Sequence, residues 1–268
     1  MQTETITSAD GTSLRIGRSG DGDKDILIVP GLAEHLGRYD HVVAALNEAG
    51  WRTTVLELRG HGKSEGKRGH VMAWSEYIDD VKAAAAAVGG PMVVLGHSMG
   101  GLVALDAAID GIGQDIQALV LSDPNVAVAV DAPALKVLGA KVLSRVAPSL
   151  SLSNELDASA ISRDTAVVDA YKADPLVFST ITPRWFTEML ASQERVVAHA
   201  TGYQMPLLMM LGEGDVICDW KASAALARNW GGTAKVIQYP ELYHEIFNEL
   251  DKDQVIEDMV TWLGELSA

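Results

Sequence analysis

The stretch that most constrains this chain is 92–102, where the apolar run Met92-Val93-Val94-Leu95 ends abruptly in Gly96-His97-Ser98-Met99-Gly100-Gly101. The breakers Gly89, Gly90 and Pro91 precede the run, and Leu102, Val103, Leu105, Ala108 and Ile109 follow at helical spacing. The pattern predicts a strand buried on both faces, a sharp turn and a helix. The turn carries G-x-S-x-G, whose flanking glycines tolerate a bend so tight that Ser98 is forced into a strained conformation with its hydroxyl lifted above the sheet. The helix start beneath it offers backbone N–H groups and the positive end of a dipole, useful where an oxyanion develops. Ser98 is therefore the candidate nucleophile. The alternative is a glycine-rich turn with an incidental serine, and the strand before and helix after the motif argue against it.

Around this stretch the chain alternates strand and helix patterns. Segments 3–7 and 13–17 flank Asp10-Gly11, a dipeptide suited to a hairpin turn because both residues accept positive φ. A first buried strand is expected at 26–29 and further strands at 53–56, 118–121, 206–211 and 235–239, with helices at 41–49, 75–88 (Ser75 as N-cap), 221–229 and 253–263. Such alternation indicates an α/β fold with a mostly parallel central sheet covered by helices on both faces. The rhythm breaks over 126–203, where helical patterns at 134–146, 164–172 and 183–200 and an irregular stretch at 148–162 contain no buried strand. We read one domain, residues 1–268, with core segments 1–125 and 204–268 and an inserted helical cap over 126–203.

Composition narrows the classes. A net charge of −15 with scattered basic residues disfavours a groove that tracks nucleic-acid phosphates. The lone Cys218 can form no internal disulfide and no cysteine pair exists for a zinc site, which fits a reducing compartment and makes the cytoplasm the expected location. Residues 1–8 lack a basic region followed by an apolar one, and no apolar run is long enough to span a bilayer, so neither a secretion signal nor a membrane helix is expected.

A serine hydroxyl needs a base to take its proton, and the base needs a carboxylate to fix its tautomer. With the order serine, acid, histidine that goes with this motif, only His199 and His244 qualify. His199 falls on a cap helix, whereas His244 follows the last strand and is the candidate base. Asp215, in Gly212-Glu213-Gly214-Asp215, lies just past a strand and is the favoured acid, with Asp123 as runner-up. The oxyanion donors should be the backbone N–H groups of Met99, after the nucleophile, and Leu32, after the first buried strand.

Gly31-Leu32-Ala33-Glu34-His35, Gly37-Arg38-Tyr39, Arg59-Gly60-His61-Gly62-Lys63-Ser64, the serine motif and Tyr243-His244-Glu245 resemble the monoacylglycerol lipase and lysophospholipase branch of the α/β-hydrolase superfamily. In the cap, Ile161-Ser162-Arg163-Asp164 and Asp174-Pro175-Leu176 resemble the same branch. The resemblance implies an α/β-hydrolase fold, the same roles for Ser98, Asp215, His244, Leu32 and Met99, and no cofactor or metal. It also implies that Cys218 matches a cysteine some relatives carry near the acyl pocket. Two departures stand out: Pro30 where the family usually has His, and Glu57 where it usually has Asp. The expected activity is hydrolysis of a carboxylic ester, a monoacylglycerol or similar single-chain lipid, through an acyl-enzyme, with the cap free to touch a membrane surface transiently. The cap would supply an apolar tunnel, with Val126, Val128, Val130, Leu135, Leu138, Leu143 and Leu152 as candidate lining. Alternatives are a lysophospholipase, an aminopeptidase or amidase in which Glu155, Asp157 or Glu188 hold an ammonium group, and a non-catalytic binding fold.

Overall fold

Neighbouring residues in the apolar runs go to opposite cores. Leu27, Val29, Met92 and Val94 enter one, and Ile26, Ile28, Val93 and Leu95 the other, which is why these strands show no polar alternation. The computed structural model describes residues 1–129 and 133–266. Its main sheet has eight strands in the order β1 (Gln2–Thr7), β2 (Ser13–Ser19), β4 (Trp51–Glu57), β3 (Lys24–Val29), β5 (Met92–His97), β6 (Ile116–Ser122), β9 (Leu207–Gly212) and β10 (Ala234–Tyr239). β1 pairs with β2 and β2 with β4 antiparallel; every other pairing is parallel.

Helices α1 (Asp40–Glu48) and α8 (Lys252–Glu265) cover one face through Val42, Leu46, Val255, Met259 and Trp262. The other face is covered by α2 (Ser75–Val88), α3 (Met99–Ala107) and α7 (Trp220–Arg228), through residues such as Tyr77, Val81, Leu102, Leu105 and Leu226. Strand β5 is buried along its whole length, so the turn at its carboxyl end is held by core on both sides.

Two local expectations need correction. Of Asp10 and Gly11 only Gly11 takes a positive φ, of 91°, because the connection is a five-residue loop closed by Ser8 N–H donating to Thr12 O at 2.9 Å rather than a two-residue turn. Ser75 is the first residue of α2 and not its cap: the cap position is Trp74, which makes no side-chain cap bond, and Glu76 ties down the preceding loop, its Oε1 accepting from Met72 N at 2.8 Å and Ala73 N at 3.0 Å.

Between β6 and β9 the chain leaves the sheet. This inserted segment contains α4 (Ala134–Val146), the two-residue strands β7 (Leu152–Ser153) and β8 (Thr180–Ile181), which pair antiparallel, α5 (Thr165–Ala173) and α6 (Pro183–Ala198). The ribbon β7–β8 falls partly in the stretch expected to be irregular, and its residues are exposed or half-buried, so it left no apolar signal. Thr182 caps α6 through Trp185 N–H at 3.3 Å, with Pro183 at the first helical position.

Candidate active site

The turn after β5 is as tight as its sequence demands. Ser98 sits at φ 50°, ψ −121°, a costly conformation for a residue with a side chain, and it persists because the packing around it leaves no alternative. A Cβ on Gly100 would lie 2.0 Å from Val29 O, and one on Gly96 2.6 Å from Gly101 Cα, so strand and helix approach as closely as they do only because both positions are glycine. Met99 opens α3, so its amide has no acceptor within the helix.

From the far end of the sheet, His244 reaches Ser98. Its Nε2 lies 2.9 Å from Ser98 Oγ and its Nδ1 2.7 Å from Asp215 Oδ2. A carboxylate only accepts, so Nδ1 carries the proton and Nε2 faces the hydroxyl as an acceptor. Asp215 is itself fixed by Ile217 N–H at 2.7 Å and Cys218 N–H at 3.0 Å, both donating to Oδ1. Burial pulls the His244 pKa down, but the charge and hydrogen bond of Asp215 outweigh it and leave it above 6.5. As a base, His244 must be neutral. Activity is therefore expected to rise with pH through an acid limb centred above the ordinary imidazole value; a pH profile of kcat/KM with a limb centred below about pH 6 contradicts this.

Asp123, the runner-up acid, directly follows β6 at φ 41°, completely buried. Its Oδ1 accepts from Gly212 N at 2.9 Å, and among the described residues Oδ2 has no partner. Burial, reinforced by the nearby charge of Asp215, pushes its pKa well up, and its carboxyl meets Gly212 N rather than the imidazole. His199 ends α6 and packs its ring against Tyr203, away from Ser98. Cys218 is closer to the reacting groups than expected: its Sγ lies within 4.8 Å of ring or carboxylate atoms of His244 and Asp215, and it is buried rather than part of the cavity wall. Burial and then Asp215 raise its pKa, so it is a shielded neutral thiol.

Ser98, His97 and His244 open onto a cavity of about 430 Å³. Its apolar wall is built by Leu156, Ile161, Val177, Phe178, Trp185 and Met189. Of the residues expected to line it, Val128 does. Val126 is buried in the core and Leu143 half-buried outside the wall, and Val130 lies outside the described residues. Leu135 and Leu138 point to solvent, because α4 packs on α6 through its opposite side, where Ser144 Oγ meets Thr187 Oγ1 at 2.9 Å, and Leu152 is exposed on the two-residue strand β7. The three acids expected to gather around an ammonium group do not: Glu155 pairs with Lys136 and Glu188 Oε2 accepts from Trp74 N at 3.1 Å, so of the three Asp157 lines the cavity.

Leu32 lines the same cavity, on the loop after β3. That loop is held by Glu34, whose Oε2 accepts from Gly31 N–H and from Tyr39 O–H, each at 2.6 Å. Sequence reasoning did not assign Glu34 a role; the Glu34 and Arg38 of the two matching glycine motifs were the available signal. Glu57 fills its departure from the family pattern by accepting from Lys63 N at 2.7 Å and Leu36 N at 3.3 Å.

An elbow serine, a histidine and an acid at the carboxyl edge of a mostly parallel sheet define an α/β-hydrolase. The family model described as serine aminopeptidase, S33, matches residues 20–251, and the chain belongs to that family. It is 36% identical over 247 residues to a monoacylglycerol lipase of Mycolicibacterium smegmatis, covering 89% of this chain and 87% of the relative. A phospholipase of Bacillus subtilis is 30% identical over 240 residues, 87% of this chain and 92% of that one. The crystal structure of a Paleococcus ferrophilus monoacylglycerol lipase superposes with a TM-score of 0.89 at 31% identity, covering 94% of this chain and 99% of that chain. The protein is accordingly a carboxylic ester hydrolase.

Proposed function

We propose that the protein hydrolyses neutral single-chain lipid esters, monoacylglycerols foremost, through an acyl-enzyme on Ser98. The observation that carries this is the unbroken contact from Ser98 Oγ to His244 Nε2 and from Nδ1 to Asp215, opening on a cavity with an apolar wall. Ser98 Oγ attacks the ester carbonyl while His244 takes its proton. The carbonyl oxygen becomes an oxyanion facing the amides of Leu32 and Met99. Collapse breaks the ester bond, and the proton on His244 passes to the departing glycerol oxygen. Water then repeats the sequence on the acyl-enzyme, with His244 again as base, releasing the fatty acid. The relatives named monoacylglycerol lipase support the glycerol headgroup.

Residues 126–203 act as a cap in this reading, giving the acyl chain its wall. On α4, Leu135, Leu138, Val142 and Val146 recur at three- and four-residue spacing and are between 53% and 80% exposed, an apolar stripe suited to a lipid surface. Among the described residues no helix is long and apolar enough to cross a membrane, and we place the protein in the cytoplasm, meeting lipid only transiently. A lysophospholipid is the second reading, favoured by Lys172 exposed at the cavity rim.

A panel of monoacylglycerols, lysophospholipids, aminoacyl amides and soluble p-nitrophenyl esters, run with wild type and Ser98→Ala, tests both. The highest kcat/KM is expected on monoacylglycerols, with all turnover lost in Ser98→Ala. Leu138→Glu/Val142→Glu is expected to slow turnover of vesicle-borne substrate and spare the soluble ester. Preference for lysophospholipids or amides overturns the headgroup assignment, and equal slowing on both substrate forms removes the surface role of α4.

A further inference from the structure

Ala33, in the loop that presents Leu32, has a φ of 63°. A left-handed alanine is strained by its Cβ, so the loop holds this shape only under outside restraint. The restraint is a chain of buried contacts that ends in the cap. Gly31 N–H donates to Glu34 Oε2, and Glu34 Oε1 accepts from Arg38 Nε at 3.2 Å. Arg38 Nη2 donates to Oε2 of Glu245, the residue after His244, and Asn248 Nδ2 donates to the same oxygen at 2.8 Å. The Arg38 guanidinium also lies 4.9 Å from the centre of the Tyr171 ring, on α5. Two further contacts cross the same boundary: Glu245 N–H donates to Ile161 O at 2.8 Å, and His35 Nε2 lies 2.8 Å from Asp174 Oδ2.

Arg38 thus touches the loop that presents Leu32, the loop that carries His244, and the inserted segment. Both of its carboxylate partners line the cavity and both are buried. Burial pushes Glu34 up, but His97, Arg38, Tyr39 and Gly31 together hold it well below the usual carboxylate range. Glu245 goes the other way, driven up to about 7 by burial against the pull of Arg38. One guanidinium shared by two buried carboxylates leaves Glu34, the one that ties down Gly31, as the ionised partner. Without Arg38 these acids would be buried and uncompensated, and the geometry that depends on them would relax.

We propose that Arg38 is a positioning residue that joins seating of the cap to assembly of the oxyanion hole, so that Leu32 N–H is aimed at the reacting oxygen only when Tyr171 packs on the guanidinium. The proposal rests on the acyl-enzyme reading above. It gives the cap a part in kcat, beyond holding the acyl chain.

The test compares two inhibitors with the same alkyl chain. A trifluoromethyl ketone adds to Ser98 and places an oxyanion in the hole; an unreactive ether analogue fills the cavity without one. In Arg38→Gln, ketone affinity and kcat are expected to fall together by about 10- to 100-fold, the scale of a misaimed group, while ether affinity and KM stay within about threefold. Tyr171→Leu is expected to give the same split and Tyr171→Phe, which keeps the ring, wild-type behaviour. The double variant Arg38→Gln/Tyr171→Leu should lose no more than Arg38→Gln alone. Equal losses on ketone and ether, or additive losses in the double variant, overturn the link. Should Arg38→Gln fail to fold, Tyr171→Leu and Tyr171→Phe decide the question by the same split. Tight binding of the ketone to Ser98→Ala would instead overturn the acyl-enzyme reading, and this proposal with it.

Discussion

Ser98→Ala is expected to lower turnover by about 10⁴- to 10⁶-fold with the fold intact, and His244→Ala to do nearly the same. The size follows from the geometry. The hydroxyl lies 2.9 Å from His244 Nε2, and neither group has a substitute that would both attack and accept the proton. Cys218 is adjacent, but burial keeps its thiol protonated, so it does not replace the missing hydroxyl. The fold is spared because the elbow is set by Gly96, Gly100 and the fully buried β5, none of which depends on the serine Oγ. Since the two residues act as one unit, Ser98→Ala/His244→Ala should be no slower than Ser98→Ala alone. Single-turnover kinetics on a soluble ester, with thermal melting as the check on folding, measure this; a double variant that loses the product of the two single effects would mean that they act independently.

Asp215→Asn should cost about 10⁴-fold in kcat, whereas Asp123→Asn should stay within a few-fold of wild type. Asp215 Oδ2 holds Nδ1–H of the imidazole at 2.7 Å, and an amide there can turn its N–H₂ toward the ring and favour the tautomer that cannot accept from serine. Asp123 has no such tie. It is a buried acid, its pKa raised by burial, whose contact is with Gly212 N, and asparagine offers the same acceptor oxygen and tolerates the positive φ. Steady-state rates of the two variants distinguish the roles, and an active Asp215→Asn beside an inactive Asp123→Asn would reverse the assignment.

What is legible in the sequence and what is not divide along physical lines. Ser98 is legible because the tight turn needs glycine at two fixed positions, and His244 because few histidines follow the motif. Asp215 and Asp123 both end buried strands, so sequence ranks them without separating them; the hydrogen bond to Nδ1 does that. The cavity wall is not legible. The apolar stripe of α4 has the spacing of a core-facing helix, and nothing in its sequence tells whether that face meets protein, solvent or lipid, so Leu135 and Leu138 are expected to face inward when they point out. The wall comes instead from residues such as Ile161, Phe178 and Trp185, scattered through loops and α6. Arg38 and Glu245 are 207 positions apart, and no local pattern announces that one guanidinium will bridge them. Ser75 illustrates a smaller limit, since a serine one position inside a helix reads like a cap until the helix is seen to start from Trp74.

The most direct test of the central claim is phosphonylation of the whole protein by a fluorophosphonate, followed by peptide mass mapping. One equivalent of label is expected, confined to Ser98, absent in Ser98→Ala and slowed severely in His244→Ala. Label on any other residue, or stoichiometric labelling of Ser98→Ala, would contradict it.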